Sequence, residues 1–219
     1  MIPYVQHGPC RMEEHMKTNN ERLRDILKHL EALDYISPEA IPDIDLYMDQ
    51  VTTFMDEHLK GTKRHPEDKI LTKTMINNYA KNNLLPAPNK KKYSKEHILL
   101  LVFIYYFKNM LSFHDIEQLF RPITEKHFNS PEELPLEEVY REIFSWTKDG
   151  MDRIQKDIVR KYQDTSQAFA DKGLEGEDLE YLRLFAWICE LSFDVYVKKQ
   201  VVEQIIDDLR AAEPIKKKK

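Results

Sequence analysis

Glycine, cysteine and long apolar runs are what this sequence has least of. Five glycines in 219 residues make a phosphate-cradling loop hard to build, and no G-x-x-x-x-G-K-[ST], G-x-G-x-x-G or G-x-S-x-G spacing occurs. Two cysteines, Cys10 and Cys189, sit far apart and form no framework, so reduced thiols are expected, Cys189 as a buried thiol inside an apolar helix. The longest apolar run, Ile98 to Phe107, stops well short of the roughly 18 to 20 residues that a membrane span requires. The opening "MIPYVQHGPCRMEEHM" has neither a basic leader nor an apolar signal core, which points to a cytoplasmic protein. Eight histidines are present. Only His7, Cys10 and His15 cluster, and no second Cys/His pair has zinc spacing, so neither a metal nor a cofactor is expected. Glu132, Glu133, Glu137 and Glu138 read as acids favoured at a helix N-terminus rather than as catalytic carboxylates, and no enzyme activity is expected.

What is present favours helices. Hydrophobic residues make up 42% and charged residues 32%, the balance of a soluble domain with a core. Glu, Lys and Leu lose little rotamer freedom in a helix, whereas the scarce glycines would cost more. Met16, Leu23, Ile26, Leu27, Leu30 and Leu33 recur at three- and four-residue spacing, predicting a first helix to about Leu33. Asp45 is expected to cap a second helix to about Leu59, with Leu46, Val51, Phe54 and Met55 inward. Thr72 caps a short helix to about Asn82, and Pro86 and Pro88 force "LLPAPNKKKY" into a loop or hairpin. Ser94 opens an all-apolar helix to about Met110, which must be buried. Ser112 and Asp115 have capping-box spacing for another short helix. A domain boundary is placed near Asn129. Beyond it, one helical pattern carries Val139, Ile143, Trp146, Met151, Ile154, Ile158 and Tyr162, and a second runs from about Glu177 to Ala212, with no clear heptad run. The terminal "KKKK" is expected to be unstructured. Tyr105, Tyr106, Phe107, Trp146 and Trp187 are read mainly as core, with a small effector pocket as the alternative use.

Charge is the most informative property. Between Lys60 and Lys95 stand ten Lys or Arg and two acids, Glu67 and Asp68, a net of +8 in a chain whose total is −5. Such a concentration suits a polyanion, because phosphate contacts release condensed counterions. On the short helix, Lys73, Thr74, Asn77, Asn78 and Lys81 form the polar side. Asn can pair bidentately with adenine, and Lys and Thr can reach phosphates or base edges. Met75, Ile76 and Tyr79 are the inward set. Lys90, Lys91 and Lys92 sit on the following loop as a basic wing.

The stretch "TMINNYAKNNLLPAPNKKKYSKEHILLLVFIYYFKNMLSFHDIEQLF" resembles the DNA-binding domain of MerR-type regulators, with Tyr79, "NNLLPAP", "KKKYSKEHI" and "LSFHDIEQLF" in the family's order. The sequence is more similar still to an uncharacterised bacterial family, domain of unknown function 1836, through "PDIDLYMDQVTTFM", "LTKTMINNYAKNNLLP" and "KKYSKEHI". Departures accompany the likeness: Asn77 and Asn78 replace the usual Arg-Tyr before Tyr79, and Asn83 replaces the usual Gly.

The resemblance implies a mostly α-helical protein: an N-terminal helical segment at 1–40, a winged helix-turn-helix with a small β wing at 41–128, and a helical dimerisation or effector domain at 129–219. The implied function is transcription regulation by a homodimer bound to double-stranded DNA, with a recognition helix at about 72–82 and a wing at about 86–93. Two other readings remain open: a module that binds an acidic protein through the same basic face, and a small-molecule sensor.

Overall fold

The computed structural model of the chain describes residues 17–33, 35–130 and 134–212. His7, Cys10, His15, Met16, Glu132, Glu133 and the terminal lysines lie outside the described residues. The first described helix, α1 (Asn19–Glu31), starts at a capping box in which the Thr18 hydroxyl accepts from Glu21 N–H and the Glu21 carboxylate accepts from Thr18 N–H. Its apolar positions Leu23, Leu27 and Leu30 are half-buried, and Ile26 is exposed.

The second helix departs from expectation at its start. Leu46 and Tyr47 form a short strand, β1, so Asp45 does not cap the helix that follows, α2 (Met48–Leu59). Tyr47 takes the capping position instead, and its backbone N–H donates to Gln50 Oε1 at 2.9 Å. Val51, Phe54, Met55 and Leu59 are buried as their spacing requires. Helix α3 (Lys73–Lys81) begins where the Thr72 hydroxyl accepts from Met75 N–H at 3.2 Å. Strand β2 (Lys92–Tyr93) then pairs antiparallel with β1, placing Leu46 opposite Tyr93.

Helix α4 (Lys95–Phe107) is the centre of the protein: Ile98 to Ile104 are all buried. At about 1.5–3 kcal/mol for each large side chain, this helix alone supplies a substantial part of the hydrophobic driving force. It ends three residues before the expected Met110, where the chain turns and Lys108 Nζ donates to the Ile70 carbonyl at 2.8 Å. Helix α5 (Phe113–His127) begins at the expected Ser112–Asp115 capping box but is not short. It continues through Pro122, because buried Phe120 and core-packed Ile123 hold the chain on either side of it.

The pattern expected as one helix from Val139 to Tyr162 is two, α6 (Leu136–Ser145) and α7 (Thr147–Ser166), with Trp146 at the break. Gly173 and Gly176, at φ 65° and 66°, turn the chain into α8 (Gly176–Ala212). The core runs from Ile36 through α4 to Leu136 and Tyr140 of α6, and includes Ile206 of α8. Helix α8 is also tied to α5 by Arg210, whose Nη2 lies 2.6 Å from Asp115 Oδ1.

Much of α8 is uncovered. Only Trp187 and Ile206 of this helix are buried. Cys189 is exposed, which corrects the expectation of a buried thiol: apolar composition along α8 is not matched by burial, since only Trp187 and Ile206 of the helix are buried. Tyr181, Ile188, Val195, Val202 and Leu209, every seventh residue, are all exposed. They form one apolar series at seven-residue spacing.

Candidate nucleic-acid interface

Helix α3 is amphipathic in a way that separates two jobs. Ile76 and Tyr79 are buried and Met75 is half-buried, while Lys73, Thr74, Asn77, Asn78 and Lys81 are all exposed. Tyr79 meets Phe113 of α5 edge-on, with ring centroids 6.0 Å apart, which fixes the rotation of α3 about its own axis. Burial raises the phenol pKa of Tyr79, and that of Tyr93 behind β2. Both rings therefore serve as neutral anchors.

The helix leaves its C-terminus through Asn83, at φ 57°, the left-handed conformation that glycine would adopt most easily. Leu84 and Leu85 then enter the core. At the tip of the next loop, Lys90 and Lys91 have φ 48° and 67°, and Lys92 N–H closes the turn on the Asn89 carbonyl at 2.9 Å. Two successive positive φ values are those of a primed hairpin turn, where Asn-Gly is the usual occupant. Lysines there are strained, by about 1–2 kcal/mol per residue. The Lys92 ammonium lies over the Tyr47 ring, 5.2 Å from its centroid, so it is steered by β1 rather than freely extended.

His97 joins the loop to α4. Its Nδ1 accepts from Ser94 N–H at 3.0 Å, which places the neutral ring's proton on Nε2. Its ring packs edge-on against Tyr93 and Phe128. Burial holds its pKa below the usual imidazole value, opposed by the backbone of Ala87 and Pro86 and by Asp45.

The basic window is partly neutralised. Lys63 pairs with Asp56 at 2.7 Å, Lys73 with Asp49, and Lys95 with Glu137 at 2.9 Å and Asp43 at 3.3 Å. Lys60, Arg64, Lys69, Lys81, Lys90, Lys91 and Lys92 have no ion-pair partner among the described residues. The sequence could not separate these groups, since each partner but Glu137 comes from residues 43–56 and all lie outside the basic window. Among the described residues no three His, Cys, Asp or Glu side chains converge as metal ligands. Nor is any described helix long and apolar enough to cross a membrane.

Among the described residues the architecture is mostly helical, with one two-stranded sheet. Residues 36–143 match the family model described as Domain of unknown function (DUF1836). That match covers the stretch from Ile36 through most of α6, and so includes α3, the lysine turn and α4. No curated protein and no solved structure matches the chain, and none of these comparisons connects it with MerR-type regulators.

Proposed function

We propose that the protein is a transcription regulator that binds double-stranded DNA through a winged helix-turn-helix built around α3, and that it acts as a homodimer. The observation that carries this reading is the pairing of an exposed Lys/Thr/Asn helix side with a lysine turn held at positive φ. In this arrangement Lys81, Lys90, Lys91 and Lys92 contact phosphates, while Thr74, Asn77 and Asn78 face base edges. Lys73 must first release Asp49, so it contributes less than its neighbours. The overall charge of −5 does not oppose the reading, because the local field governs approach to a polyanion.

The heptad stripe of α8 supports the dimer. Five apolar side chains over about 42 Å of helix form a seam that a second copy can cover with its own. Acid–base pairs beside it, Asp194 with Lys198 at 3.6 Å and Lys199 with Glu203 at 2.5 Å, give the seam a polar rim.

Fluorescence anisotropy with genomic duplex fragments at two salt concentrations tests the DNA reading. Tight binding to a subset of fragments is expected, with affinity falling steeply as salt rises. Absence of binding at low salt sinks it. Retention of a nuclease-resistant acidic protein by the same face, without duplex binding, replaces it with the interaction-module reading.

A further inference from the structure

A cleft of about 880 Å³ opens where the C-terminal end of α1 meets α6, α7 and the loop after α2. Its size lies within the range of small-molecule sites. The floor is aromatic. Phe144 stacks on Tyr35, with centroids 5.7 Å apart and planes 16° from parallel, and Tyr106 meets it at 5.8 Å. Tyr140 and Phe103 pack against Phe144 with centroids 4.4 and 5.4 Å away, and meet each other at 5.3 Å. Tyr35, Tyr106 and Phe144 are half-buried and pack against the core, which holds the floor in place.

The rim is acidic. Glu31, the last residue of α1, and Asp152 of α7 both line the cleft, with Met151 beside them. No Lys, Arg or His lines it among the described residues. Neither carboxylate has an ion-pair partner among those residues either. Lys28 and His29 stand in the same last turn of α1 but outside the lining. Where the groove runs on between α1 and α7, Glu31 and Asp152 line it as well, now with Lys156 and Arg160, so the two carboxylates mark the border between the aromatic end and a mixed-charge stretch. Arg160 is itself held by Asp157 at 2.6 Å.

Three separate sources of negative potential thus meet in one place. They are two carboxylates, the C-terminal end of a helix whose last carbonyls carry partial negative charge, and the faces of aromatic rings. We infer that this cleft binds an organic cation with a flat apolar body: the ring system lies on Phe144, Tyr35 and Tyr106, and the ammonium sits between Glu31 and Asp152. An anion of the same shape is excluded by the same charges. This assignment stands independently of the DNA reading, since it involves neither α3 nor the lysine turn.

A charge series on one ring system tests it. Isothermal titration calorimetry of the full chain compares (naphthalen-2-ylmethyl)trimethylammonium, naphthalene-2-methanol and 2-naphthylacetate. The cation should bind at least about tenfold more tightly than the alcohol, and the carboxylate should bind more weakly than either. The double variant Glu31→Gln with Asp152→Asn should bring the cation down to the affinity of the alcohol and leave the alcohol unchanged. Both residues are exposed and have no ion-pair partner among the described residues, so the variant should keep the melting temperature of the parent, which is measured alongside. Equal binding of cation and carboxylate overturns the inference. So does a cation affinity unmoved by the double variant, or no cation binding at millimolar concentration.

Discussion

Tyr140 donates its hydroxyl to the Ile36 backbone carbonyl at 2.6 Å, joining positions 104 residues apart inside the core. The bond fastens α6 to the segment that leads into β1 and α2. Burial pushes the phenol well above its ordinary pKa, so the group stays a neutral donor at any working pH. Tyr140→Phe keeps the ring contacts with Phe103 and Phe144 and removes only the donor. It leaves a buried carbonyl unsatisfied, and a loss of about 1–3 kcal/mol is expected in chemical denaturation. A loss below about 0.3 kcal/mol would mean that water replaces the hydroxyl there.

His97 gives stability a pH dependence whose sign follows from its burial. Its folded-state pKa lies below that of a free imidazole, so the unfolded chain takes up the proton first as pH falls. The neutral ring costs nothing above about pH 6.5, and stability declines below it. Gln at this third helical position can accept from Ser94 N–H as the imidazole does, without titrating. His97→Gln should therefore shrink the difference in denaturation midpoint between pH 7.5 and 5.5, whatever its effect at pH 7.5. An unchanged difference would assign the pH dependence to other groups.

The features that could be read from sequence are local ones. Thr72, Ser94 and Ser112 announce helix starts because the capping partner lies three residues on: the Thr72 and Ser112 hydroxyls accept from the helix N–H, while at Ser94 the His97 ring accepts from the Ser94 N–H. Asn83 stands where the resembling families place glycine and takes the positive φ that this position demands. The paired strands were less legible, since β2 finds its strand partner in residues 46–47, ahead of α2, and only a single bridge, Asn89 with Lys92, in its own loop. The strain at Lys90 and Lys91 was invisible, because lysine is not a residue that signals a primed turn. Along α8 a second apolar series, Phe193, Val197 and Val201, overlies the seven-residue one. Its members are exposed as well, and only Trp187 and Ile206 are buried, so neither series stands out from the sequence of this helix.

The lysine turn separates stability from binding. Replacing Lys90–Lys91 by Asn-Gly matches residue type to backbone and should stabilise the fold by about 1–2 kcal/mol. The same change removes two charges that have no ion-pair partner among the described residues, so duplex affinity should fall and its salt dependence should flatten by up to about two phosphate contacts. Denaturation and anisotropy titrations on one protein preparation read both. Increased stability with unchanged salt dependence would place the DNA contact elsewhere.

Val195 lies at the middle of the α8 seam and is 64% exposed in the single chain. A lysine there leaves the folded monomer intact, because no packed neighbour is lost and the helix tolerates the residue. In a paired seam it sets a charge against its own copy in an apolar interface, which is costly to desolvate. Light scattering after gel filtration should therefore give twice the chain mass for the wild type and the single-chain mass for Val195→Lys, with unchanged far-ultraviolet circular dichroism. Glu190→Gln, on the same helix but off the seven-residue series, should remain dimeric. If the wild type runs at single-chain mass at about 100 μM, the seam is not closed by a second copy. Where the wild type is dimeric, the loss of a second DNA-contacting subunit should weaken duplex binding by Val195→Lys through avidity alone, leaving the per-subunit salt dependence unchanged.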